Sequence, residues 1–220
     1  MDLKYHKQIT RRSLGAYFDE KALAQIITAN LWQDSLWNQF PDQSYLHFDN
    51  NEIAKGLAYV LSEHVSIIQL ADIGGKGAAQ RAAFGRLCHT VQDFYAHSNY
   101  VDLWLRANGG LQRTQPAQID GLDPQFLWHP DLKTGTFRIA SDFVYYIPLA
   151  GWLLRRYRLD PDSHEAMHLD SPRRGPRFSY AFVAACQRTQ YEYMRLVEVL
   201  AEVGGEEALC EFRYAKGTQK

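Results

Sequence analysis

Cysteine is scarce in this chain: Cys88, Cys186 and Cys210 are the only three in 220 residues, an odd number with no CxxC spacing. That argues against a disulfide framework and makes reduced, buried thiols the expectation. An excess of one charge is also missing, with 24 basic residues against 25 acidic ones. No basic surplus advertises duplex DNA as a partner, and no acidic tail suggests a solvating segment. No apolar run approaches the ~18–20 residues that a spanning helix needs. The opening MDLKYHKQITRRSL has no apolar core and no cleavage site of a secretory signal, so a cytoplasmic location is the expectation, with signal-independent export left open. The glycines of DIGGKG at 72–77 lack the spacing and the following Ser or Thr of a phosphate loop. Repeats and low-complexity tracts are absent as well.

What is present is enough apolar material, 46% hydrophobic and 13% aromatic, for one core in a single domain over 1–220. Helical spacing dominates. Leu14, Phe18, Leu23, Ile26, Ile27 and Leu31 predict a helix over 7–31, with Thr10 as an early cap. Further helices are expected over 51–70, 77–106, 140–157 (interrupted near Pro148) and 178–203, with a loosely held tail from Gly204. The stretch 107–135 reads mostly as loop, and QFLWH and GTFRIA around the turn PDLKTG suggest a small hairpin in the 107–140 region. The fold class expected is an all-α helical bundle.

The eight histidines carry the chemistry. His89, Asp93 and His97 stand at i, i+4 and i+8 of the 77–106 helix, so each step drifts only ~40° and all three share a face. Imidazole and carboxylate suit zinc, but i and i+8 lie ~12 Å apart along the axis, too far for one ion. The spacing therefore predicts at least two ions with Asp93 able to bridge. A lone helix-face histidine is more often a satisfied structural residue than a ligand. Here the surrounding Leu87, Val91, Phe94 and Tyr95 predict burial, and an unpaired buried aspartate costs several kcal/mol. Further ligands come singly: His6, Asp34, His47, His64, His129, His164, His168 and Asp170 are all available, and spacing does not choose among them.

The run GRLCHTVQDFYAHSNYVDL resembles the helix of the Het-C proteins and the related zinc-dependent phospholipase C group. HKQITRRSL, ANLWQD, LHFDNN and SHEAMHLDSP resemble further blocks of that group, in order, over roughly residues 6–190. The resemblance implies an all-α fold whose cleft holds two or three zinc ions. It implies His6 as the N-terminal ligand, Asp34 and His47 joining His89 and Asp93 around one ion, and His97 with His164 at another. Asp93 would bridge to a further ion near His6, and Asp170 would come next, ahead of His168. Two departures stand out. The secreted members begin with a tryptophan whose amine and carbonyl bind metal, where this chain has Met1-Asp2. Their late histidine is followed four residues on by a carboxylate, where this chain has His168.

The activity implied is hydrolysis of a phospholipid head group by metal-activated water, with Asp34 or Asp93 orienting the water. The partners implied are a phospholipid or another phosphodiester, with peripheral membrane contact. The same superfamily offers a single-strand nuclease or nucleotidase on that zinc site, and the Het-C branch a non-catalytic role in recognition and cell death. Trp32, Trp37, Tyr45, Phe48, Tyr95, Tyr100 and Trp104 lie near the ligand blocks. Some are expected to wall a head-group pocket, and more than half to be core.

Overall fold

The computed structural model describes residues 1–38, 41–136 and 167–215. Its elements are α1 (Leu3–Leu14), α2 (Glu20–Trp32), 3₁₀ turns at Leu36–Asn38 and Pro41–His47, α3 (Ile53–Ile73), α4 (Gly77–His97) and α5 (Tyr100–Ala107). A 3₁₀ turn at Pro116–Gln118, α6 (Pro124–Leu127), a 3₁₀ turn at Pro172–Arg174 and α7 (Arg177–Arg213) follow. The protein is all-α, as expected, and there is no strand among the described residues.

Several expected boundaries are corrected. The 7–31 helix is two helices. Gly15 closes α1, its N–H donating to Arg11 O, and Asp19 opens α2 by accepting from Ala22 N at 2.6 Å. Thr10 is no cap but a buried residue inside α1. The 77–106 helix breaks at Ser98, whose backbone is extended, so that α4 ends on His97. As far as Arg213 the tail from Gly204 is not loose: α7 bends at Gly205, which has φ +60°, and continues with Leu209 and Phe212 buried. The Arg81 guanidinium holds it by donating to the carbonyls of Glu211 and Phe212. The expected hairpin fails at its first strand. Pro124–Leu127 is a helical turn capped by Asp123, because Pro at its first position and Asp before it are helix-start chemistry. An isolated antiparallel bridge joins Ser98 to Thr134. The helix expected over 140–157, and His164, lie outside the described residues.

Helix α4 is the axis, packed by α2, α3 and α7 and buried almost without break from Ala83 to His97. Two apolar clusters lie along it. Leu23, Ile26, Phe84, Leu87, Tyr193 and Phe212 form one, and Phe48, Phe94, Tyr95, Tyr100, Trp104 and Tyr180 form the other. The helix approaches α2 so closely that a Cβ on Gly85 would lie 2.3 Å from Ile26 O. No helix among the described residues is long and apolar enough to cross a membrane.

Substituting Gly85→Ala should therefore force α2 and α4 apart and cost about 1–3 kcal/mol of stability. Urea unfolding of the two forms side by side checks this, and an unchanged midpoint would mean that the contact relaxes freely.

Candidate metal centre

Asp93, one turn after His89 and one before His97, is completely buried at the middle of the site. Its two oxygens face different partners. Oδ2 lies 2.9 Å from His47 Nδ1 and 3.0 Å from His89 Nε2. Oδ1 lies 3.1 Å from His6 Nε2, 4.0 Å from His97 Nε2 and in direct contact with the Met1 amine. Asp34, in the turn after α2, completes the first side. Its Oδ1 is 3.9 Å from His47 Nδ1 and 3.8 Å from His89 Nε2, while His47 Nδ1 and His89 Nε2 are 3.1 Å apart. One donor atom from each of Asp34, His47, His89 and Asp93 lies within 4.8 Å of the other three. A tetrahedral zinc ion with arms of about 2.0–2.1 Å would need donor separations of about 3.4 Å, inside the observed spread.

The second side gathers around Asp170. His97 Nε2 is 3.1 Å from Asp170 Oδ1, the Met1 amine is 3.0 Å from the same oxygen, and His168 Nε2 is 3.7 Å from Oδ2. The expected residues His6, Asp34, His47, His89, Asp93, His97 and Asp170 are thus brought together, and His168 sits at the edge. His64 and His129 are elsewhere: His64 pairs with Glu192 at 2.7 Å, and His129 Nδ1 accepts from Asp131 N. Asp49, whose Oδ1 is 3.5 Å from His97 Nδ1, was not singled out in the sequence, although LHFDNN carries it two residues after His47.

The outward ring nitrogens decide what the inward ones can do. Gln92 Nε2 donates to Thr10 Oγ1 and Thr189 Oγ1, both at 3.1 Å, and Thr189 spends its own proton on Ala185 O. This fixes Gln92 Oε1 as the acceptor facing His6 Nδ1 at 2.7 Å, so His6 carries its hydrogen on Nδ1. In the same way His47 donates from Nε2 to Asn38 O at 3.2 Å, and His97 from Nδ1 to His47 O at 2.8 Å. All three rings then aim a lone pair at a carboxylate oxygen 2.9–3.1 Å away. Lone pair against lone pair is repulsive, so a second proton on each ring or a metal ion must stand between them. Outer N–H groups tied to carbonyl oxygens are the usual means of orienting metal-ligating imidazoles. His6 Nε2 is buried with no hydrogen-bond partner among the described residues, as a ligating nitrogen would be. The donor set fits a divalent cation.

The electrostatics agree. Burial works against the charge on Asp93, but the Met1 amine and His89, His97 and His6 hold its carboxyl well below the usual range. Burial also disfavours charge on His97, yet Asp49 and Asp93 push its pKa up to about 10. His89, where burial wins over Asp93, falls to about 4 and is neutral. The carboxylates of Asp34, Asp49, Asp93 and Asp170 thus favour positive charge on the Met1 amine and the His97 ring.

A short segment ties the two sides together. Asn50 N donates to Gly135 O, and Asn51 exchanges hydrogen bonds with Thr134. Gly135 N in turn donates to His97 O, and Asn99 pairs with Lys133. The turn that presents His47 is bent by left-handed backbone at Phe48, Asn50 and Asn51.

Residues 6–111 match the family model of the VWA7 N-terminal domain. The matched stretch holds His6, Asp34, His47, His89, Asp93 and His97, and stops short of Asp170. No curated protein and no solved structure matches the chain.

If Gln92 orients His6, then Gln92→Leu should weaken divalent-metal affinity by about 10–100-fold. Competition with a chromophoric chelator measures the loss, on protein shown by circular dichroism to be folded. Unchanged affinity would remove Gln92 from the centre.

Proposed function

We propose that this protein is a zinc-dependent phosphoric ester hydrolase of the phospholipase C type, acting on phospholipid at a bilayer surface. The observation that carries the reading is the shared carboxylate: Asp93 directs one oxygen to His47 and His89 and the other to His6 and the Met1 amine. Sites with two or more ions close together and a common ligand are the usual apparatus for in-line displacement at phosphorus. Nitrogen and carboxylate donors suit zinc. On this reading Asp34, His47, His89 and Asp93 hold one ion, and His6, His97, Asp170 and the second oxygen of Asp93 serve one or two more. Resemblance of the helix and its flanking blocks to the Het-C and phospholipase C group supports the same assignment.

What the ions supply is Lewis acidity, which acidifies water and neutralises phosphoryl oxygens. The chain supplies the rest. Asp93 is sealed and fixed by its neighbours, so its role is to hold and bridge. Asp34 is the most accessible of the first-side donors, with its side chain about 20% exposed, and is the carboxylate able to take a proton from attacking water. Its backbone segment favours a lipid substrate. Trp32, Leu36 and Trp37 are 59%, 86% and 73% exposed on the two sides of Asp34. Tryptophan in particular settles at membrane interfaces. Aromatic rings also stack unpaired bases, which is the second reading, a single-strand nuclease, but the exposed Leu36 between them favours lipid.

Zinc-loaded protein should release phosphocholine from phosphatidylcholine vesicles and leave single-stranded DNA intact. Asp34→Asn should lower kcat by about 10²–10⁴-fold. Zinc bound in stoichiometric amount with no turnover on either substrate would make the centre structural and defeat the enzymatic reading. Replacing Leu36 with Asp and Trp37 with Ala should depress the rate on vesicles at least about tenfold while sparing a water-soluble short-chain substrate. Equal loss on both would assign these residues to folding instead of docking.

A further inference from the structure

A cavity of about 340 Å³ lies between α3, α4, α7 and the segment carrying α6. None of the metal-centre residues lines it. Its floor is apolar, made by Phe48, Leu57 and Phe94, and its mouth carries Leu127 and Trp128, the latter 74% exposed. The remaining wall is a single face of α7, where Arg188, Tyr191 and Arg195 follow at i, i+3 and i+7. The volume is that of a small-molecule site, and such sites are apolar with a few convergent polar groups.

The charge on the α7 wall sets the sign of the ligand. Glu192 is fully buried; one of its oxygens accepts from Arg188, and the other lies 2.7 Å from His64 Nε2 and 3.7 Å from Arg195 Nη1. The two guanidinium groups that line the cavity thus share one carboxylate between them. Among the described residues Arg195 makes no hydrogen bond; its guanidinium stands over the Tyr191 ring at 5.6 Å and is half exposed. Stacking on an aromatic face pre-orients its donor fork, and that fork matches carboxylate and phosphate oxygens.

We propose that this cavity binds a single-chain amphiphile with an anionic head, carboxylate or phosphate. The head sits on Arg195 beside Arg188, the tail lies over Leu57, Phe48 and Phe94, and Trp128 covers the entrance. This site has no lining residue among those of the metal centre, and the proposal does not rest on the activity proposed there.

The test uses the full zinc-loaded chain and a fluorescent polyene fatty acid below its micelle concentration, excited by energy transfer from tryptophan. Saturable binding of one probe per chain is expected, with the transfer reduced in Trp128→Phe. Laurate and dodecyl phosphate should displace the probe, and dodecanol should be at least about tenfold weaker, the value of one charge-assisted contact. Whichever anion displaces at the lower concentration identifies the head group. Arg195→Gln, a substitution at a half-exposed position, should weaken both anions by about tenfold and leave dodecanol unchanged. Absence of saturable binding, equal potency of dodecanol and laurate, or anion binding unaltered in Arg195→Gln would each overturn the proposal. None of these readouts depends on hydrolysis, so failure of the phospholipase reading would not be mistaken for failure of this one.

Discussion

A fully buried carboxylate sits at the centre of this structure, and much else follows from the need to compensate it. An isolated ion in a protein interior costs several kcal/mol even after relaxation. Asp93 is tolerable only because His6, His47, His89 and the Met1 amine converge on its two oxygens. Those groups come from α1, from the turn before α3, from α4 itself and from the start of the chain. Compensating one charge therefore fixes the relative placement of several segments.

The polar centre is feasible because α4 is sheathed by other helices on both sides of it. Apolar packing around Phe84 and Leu87 anchors one stretch, and packing around Phe94 and Tyr95 anchors the next. Between them Gln92, Asn30, Thr10 and Thr189 form a buried hydrogen-bond network in which every Gln92 side-chain polar atom is engaged. Such networks hold their members in single orientations when fully satisfied. The network sets His6 before any cation arrives, as the carbonyls of Asn38 and His47 set His47 and His97, which lowers the ordering cost of binding one.

Periodicity sufficed for α3, α4 and most of α7, because apolar faces repeat with the helical turn. It did not reveal the breaks at Gly15–Asp19 and Ser98–Asn99, where the apolar pattern continues although the backbone turns. The tail after Gly204 reads as loosely held, yet Leu209 and Phe212 bury themselves through a bend that only a glycine at positive φ permits. At the site, His89, Asp93 and His97 were legible from spacing alone. His6, Asp34 and His47 are marked only by resemblance to other proteins, since nothing local distinguishes them from His64 or His129. Gln92 and Asn30 carried no signal. An amide becomes an orienting group only through tertiary contacts, and those are not written in any one segment.

The left-handed backbone at Phe48 has a price of its own, since a bulky side chain there is disfavoured by roughly 1–2 kcal/mol. That conformation turns His47 toward Asp93 while burying the Phe48 ring against Gly56 and Phe94. The same ring floors the neighbouring cavity. Residues 133–135 then stitch this turn to the end of α4, so His47 and His97 are anchored to a common backbone splint. A displacement of Phe48 would be felt on both sides of the carboxylate at once. Two compartments that share no metal-centre residue are thus mechanically joined, through Phe48 on one side and Phe94, next to Asp93, on the other.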